Sequence, residues 1–65
     1  MAKFEKYEVK TTSKLNVRQK GSLNAKIVNV LAKDEKVEII GLSSNGKFGK
    51  IGTGQFICLN WTERV

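Results

Sequence analysis

The sequence predicts an all-β domain, a small barrel of five to six short strands with one helical turn near the C-terminus. Three observations predict it. Apolar and polar residues alternate along residues 9–18, the period-two signature of an extended segment with one face inward. Short β-branched and apolar runs recur at residues 27–31, 37–40, 47–51 and 55–59, as strands of a small barrel do. Glycines and turn dipeptides separate these runs, and no window carries apolar residues at helical spacing through three turns.

The first strand is expected over residues 9–18. Val9, Thr11, Ser13, Leu15 and Val17 fall on one face, and Lys10, Thr12, Lys14, Asn16 and Arg18 on the other. Residues 19–25 (QKGSLNA) are polar apart from Leu23 and read as a loop. Residues 27–31 (IVNVL) form the second strand. Residues 32–36 (AKDEK) are a charged turn in which Asp34 is best able to adopt a left-handed backbone. Residues 37–40 (VEII) give the third strand, and 41–46 (GLSSNG) end on the strong turn dipeptide Asn45-Gly46. A fourth strand follows at 47–51, then a tight Gly52-Thr53-Gly54 hairpin turn, then a fifth strand at 55–59 (QFICL). The tail, residues 60–65, supplies the helical turn and a short closing strand. The inward set is Val9, Leu15, Val17, Val28 or Ile27, Val30 or Leu31, Val37, Ile39, Ile51 and Ile57. Fully burying each such side chain contributes about 1.5–3 kcal/mol.

Sixty-five residues make one domain, 1–65, with residues 1–6 read as a flexible lead-in. A chain of this size buries only about 60% of the surface its unfolded form exposes, so its core must be compact. No apolar run approaches the ~20 residues of a membrane span, and none has the layout of a signal peptide. The single cysteine, Cys58, has no intrachain disulfide partner; it is read as a small, partly buried hydrophobe. With no histidine in the chain, a Cys/His zinc set and Ser-His-Asp or Cys-His catalysis are excluded. Asp34, Glu35 and Glu38 fall on a turn and a strand edge, and nothing marks them as a general acid and base. No catalytic residue, metal site or cofactor is therefore expected. The net charge is +6, with lysines along the whole chain interleaved with Glu5, Glu8, Glu35 and Glu38. Such spacing describes a solvated surface. Its functional alternative is attraction to a polyanion, either a cell-wall polymer or nucleic acid.

Leu15-Asn16-Val17-Arg18, then a glycine and serine corner, then K-I-V-N-V-L-A-K-D-E-K-V-E-I-I-G resembles the bacterial SH3 (SH3b) family. Phe48-Gly49-Lys50-Ile51 sits where that family carries a Trp-containing hairpin. Gly54-Gln55-Phe56-Ile57 matches its "GktGWV" region, and Trp61 its terminal aromatic. The resemblance covers residues 11–61. It departs from the family pattern at Gln19-Lys20-Gly21, at Phe48 and Gly49, and at Thr62, where a core Leu is common. The resemblance implies an SH3-like barrel that acts as a non-catalytic targeting module. Such modules belong to secreted or surface-attached proteins, commonly peptidoglycan hydrolases such as N-acetylmuramoyl-L-alanine amidases, endopeptidases and phage endolysins. The implied partners are cell-wall peptidoglycan, through a peptide stem or cross-bridge, and a catalytic domain in the same larger parent chain. The implied location is extracellular and wall-associated, with the signal sequence outside this chain, and the implied state is a monomer.

A module of this kind needs a groove, flat aromatic faces and polar groups that fix a ligand's backbone. The aromatic candidates are Tyr7, Phe48, Phe56 and Trp61; the polar ones are Asn16, Arg18, Lys50 and Gln55. Each has a packing alternative. Trp61 either caps the core at the tail or lines the groove, and its indole N–H needs a polar neighbour when buried. Phe48 and Phe56 fit half-buried packing positions. Asn16 and Arg18 fit corner-setting roles, with Arg18 also able to present its planar fork to a carboxylate. Two other functions compete. A nucleic-acid-binding small barrel would need clustered basic residues beside stacking rings, whereas the lysines are dispersed along the sequence. A module for proline-rich peptides would need an acidic loop and paired tyrosines, which are missing.

Overall fold

The alternation along residues 9–18 is carried by two strands rather than one. β1 (Tyr7–Thr11) and β2 (Leu15–Arg18) lie in different sheets, and the chain bends between them at residues 12–14. The alternation runs on through the corner because both strands turn the same side inward: Val9, Leu15 and Val17 are all buried. These features belong to a computed structural model that describes residues 4–65. Residues 1–3 of the expected lead-in lie outside the described residues; residues 4–6 are exposed and belong to no strand.

Six further strands follow: β3 (Ile27–Leu31), β4 (Lys36–Ile39), β5 (Gly41–Leu42), β6 (Phe48–Gly52), β7 (Gln55–Cys58) and β8 (Thr62–Arg64). A 3₁₀ turn, Leu59–Trp61, precedes β8. The fold class is therefore all-β with one helical turn near the C-terminus, as the sequence predicts. Among the described residues the strands number eight: the first alternating run is split in two, the two-residue β5 forms within the stretch read as a turn, and β8 is the expected short closing strand. They form a three-stranded sheet of order β4-β1-β8 and a five-stranded sheet of order β3-β2-β7-β6-β5. All pairings are antiparallel.

The core between the sheets consists of Val9, Leu15, Val17, Leu31, Ile39 and Ile57, with Tyr7, Val37, Ile51, Cys58 and Leu59 packed around it. β3 departs from the expected inward set. Leu31 is buried opposite Leu15, whereas Ile27, Val28 and Val30 stay 46, 44 and 42% exposed. Among the described residues β3 is an edge strand that pairs with β2 alone, and its first four residues are exposed on both faces. Periodicity cannot report this, since an apolar run reads the same whether or not anything packs across from it.

Among the described residues, one polar side chain, that of Thr11, is completely buried. Thr11 Oγ1 donates to the Ala32 carbonyl and accepts the Glu35 N–H at 3.0 Å. Its backbone exchanges a further pair of bonds with the same turn, Thr11 N–H to Glu35 O at 3.0 Å and Asp34 N–H to Thr11 O at 2.9 Å. Thr11 thus staples the β3–β4 turn to β1 and satisfies groups that burial would otherwise leave unpaired. Asp34 adopts φ 64°, the left-handed conformation expected there. Gly46 at φ 71° and Gly54 at φ 67° close the two hairpins of the second half.

Candidate functional site

Because Leu15 and Val17 point into the core, Asn16 and Arg18 must point to the other face of the five-stranded sheet. The register carries that face across the sheet: Arg18 lies opposite Phe56, Phe56 opposite Lys50, and Cys58 opposite Phe48. Phe48 thereby leaves the main core, yet it is only 6% exposed. What covers it is the loop between β2 and β3. Gly21 approaches Ser43 and Phe48 so closely that a side chain on Gly21 would collide with the Ser43 side chain.

Arg18 holds that loop in place. Its Nη1 donates to the carbonyls of Leu23 at 2.9 Å and Ala25 at 3.0 Å. The planar, multiply donating guanidinium suits this double contact. With Leu23 drawn over the sheet, a recess of about 250 Å³ opens beside it. Asn16 and Arg18 line its sheet side, Leu23 its loop side, and Phe48 and Cys58 its floor. Ser13, Lys14 and Trp61 line the remainder, with Leu15 beneath. Trp61 stands 54% exposed on the 3₁₀ turn. That turn is fixed to the β1–β2 corner by a bond from the Thr12 N–H to the Trp61 carbonyl at 2.8 Å. The Thr62 hydroxyl closes it further by donating to Leu59 O at 2.9 Å. The Trp61 indole N–H donates to no protein acceptor among the described residues.

Of the residues singled out from sequence, the recess brings together Asn16, Arg18, Phe48 and Trp61. The others lie elsewhere. Tyr7 is on the three-stranded sheet, where the Arg64 guanidinium sits 3.9 Å from its ring centroid and Phe4 packs at 6.2 Å. Lys50 and Phe56 occupy the outer face of the five-stranded sheet without lining the recess. Gln55 folds across the β6–β7 turn; a Cβ on Gly52 would stand 2.8 Å from its Oε1. Sequence reasoning missed Ser13, Lys14, Leu23 and Cys58 as lining residues, and assigned Leu15 to the core alone. Leu23 did carry a signal, as the one large apolar residue of a polar loop.

Chemically, the recess offers an exposed indole face, the Lys14 ammonium group, which has no ion-pair partner among the described residues, and the Asn16 primary amide, in a small concavity with an apolar floor. It can hold a short peptide segment and orient it by hydrogen bonds. No group of three or more His, Cys, Asp or Glu that could hold a metal occurs among the described residues. No described helix is long and apolar enough to cross a membrane. No protein-family model, curated protein or solved structure matches the chain.

Proposed function

We propose that this chain is a non-catalytic, bacterial SH3-type module that binds peptidoglycan, gripping a peptide stem or cross-bridge in the recess between Trp61 and Leu23. The observation that carries this reading is the recess itself, with its half-exposed tryptophan whose N–H has no partner among the described residues. A rigid aromatic face with an unspent donor suits a backbone-rich ligand, since the ring excludes water while the N–H meets a peptide carbonyl. Lys14 supplies the charge for a stem carboxylate, and the Asn16 amide can bond a ligand's backbone in both directions. Arg18 acts indirectly, by holding the loop that forms one wall. The resemblance of Leu15–Arg18 and the following strands to bacterial SH3 domains supports the same reading. On this proposal the module works outside the cell, fixing a catalytic domain of its parent chain, such as a wall hydrolase, to its substrate.

Pelleting with purified peptidoglycan tests it. The wild-type chain is expected to co-sediment, and Trp61→Ala to reduce retention by about tenfold or more, as removal of a central aromatic anchor does. Titration with soluble wall fragments should move the amide resonances of Lys14, Asn16, Leu23 and Trp61. An absence of pelleting on several Gram-positive walls, or shifts confined to the three-stranded sheet, would remove the proposal.

A further inference from the structure

The interleaved charges of the sequence separate in three dimensions. On the three-stranded sheet Glu8, Glu38 and Glu63 offset Lys10, Lys36 and Arg64. Lys33, Asp34 and Glu35 sit on the turn that leaves β3 for that sheet. The strands of the five-stranded sheet, the loops that join them and the corner leading into β2 carry Lys14, Arg18, Lys20, Lys26, Lys47 and Lys50 and no acidic residue. Those cations alone account for the net charge of +6, because all remaining charges cancel. Within this basic half, the β2–β3 loop carries a second, shallow and open recess of about 320 Å³, lined by Gln19, Lys20, Ser22, Asn24, Ala25 and Lys26.

The second recess is built from donors. Lys20 and Lys26 are exposed, and neither pairs with a carboxylate among the described residues. The Ser22 hydroxyl oxygen accepts the Asn24 N–H at 3.2 Å, which leaves its own proton free to donate. Gln19 and Asn24 add side-chain amides. The loop is also pre-shaped, by Gln19 N–H to Lys26 O at 2.8 Å, Ser22 N–H to Lys20 O at 2.9 Å, Ala25 N–H to Ser22 O at 3.1 Å, and the Arg18 clamp beneath. A ligand therefore meets an ordered site and loses little affinity to ordering the loop. Two ammonium groups, a hydroxyl and amides match the tetrahedral oxygens of a phosphate.

We infer that the β2–β3 loop seats the phosphate groups of a phosphodiester polymer that lacks bases, of the polyol-phosphate type. The absence of bases follows from the lining. Single-stranded nucleic acid is held by cationic grooves interleaved with stacking rings, and no aromatic side chain lines this recess. The cations spread over the same sheet extend the attraction along a polymer, while the loop supplies one defined seat.

The experiment is a titration of the labelled chain with a glycerol-phosphate oligomer, followed by amide chemical shifts. Saturable shifts centred on residues 19–26 are expected, with affinity falling as salt rises. The double variant Lys20→Gln/Lys26→Gln should weaken binding by about tenfold, the effect of removing two screened charges near a phosphate. An oligothymidylate of equal charge should bind more weakly than the polyol phosphate. Shifts spread evenly over Lys10, Lys36 and Lys47 would overturn the inference, as would an unaffected double variant. Tighter oligothymidylate binding would also overturn it and assign the face to nucleic acid. This inference and the peptide reading fail separately: Trp61→Ala should keep the phosphate response, and the double variant should still pellet with walls stripped of phosphate polymers.

Discussion

Gly49 faces the core where no methyl group fits. A Cβ there would stand 2.8 Å from both Ile39 Cδ1 and Leu59 Cδ2, so its place beside the buried Phe48 is set by a close approach of β6 to β4 and the 3₁₀ turn. Gly49→Ala should lower unfolding free energy by about 1–3 kcal/mol, the range for overpacking a filled core. The expected signature is a lower urea midpoint at unchanged slope. Thr11 makes a different case, since its hydroxyl both donates and accepts in the interior. Thr11→Val keeps the shape and strands the Glu35 N–H and Ala32 carbonyl, and should destabilise by about 1–3 kcal/mol. Arg18 is neither core nor rim. Arg18→Lys keeps the charge and loses the geometry that reaches two carbonyls, so hydrogen exchange at residues 20–25 should accelerate while the strand amides keep their protection.

At the scale of the element, β3 separates apolar composition from burial. Val28→Thr or Val30→Thr should change stability by no more than about 0.5 kcal/mol, as ordinary surface substitutions do. Leu31→Ala, one residue further on, should remove about 2–5 kcal/mol. For a 65-residue domain whose total stability is on the order of 3–10 kcal/mol, that is a large share. Thermal melts of the three variants check the contrast. β3 also shows how an open edge is blunted, because the Val30 N–H is occupied by the neighbouring Asn29 Oδ1 at 2.8 Å. Asn29→Val would free that donor and lengthen an apolar edge strand, and concentration-dependent self-association in sedimentation experiments is the expected result.

Across the whole molecule, the separation of charge between the sheets bears on stability as well as on binding. The strands of the basic half and the loops between them have no carboxylates of their own to relieve self-repulsion, and the one described ion pair, Lys10–Glu63 at 3.5 Å, belongs to the other sheet. Added salt should therefore raise the melting temperature from its low-salt value, since screening acts on repulsion more than on attraction here. A melting temperature that fell with salt would show that the exposed ion pairs outweigh the repulsion.

Sequence by itself determined what depends on neighbours along the chain. Period-two alternation and β-branched runs announced the strands, Asp34, Gly46 and Gly54 announced their turns through the rarity of left-handed backbone, and the lack of histidine removed whole classes of chemistry. Arg18 and Asn16 could be assigned to the outward face of β2 from alternation alone. Only the tertiary structure decided which outward faces are covered. The corner after Thr11 was hidden because alternation continues through it, and the exposure of β3 because nothing in its own residues says what lies opposite. The recess draws on the corner, β2, the loop, β6, β7 and the tail, and the basic half likewise gathers residues scattered from Lys14 to Lys50. Strand and turn preferences are short-range energies written in adjacent residues. Coverage and charge clustering are sums over pairs that only folding brings together.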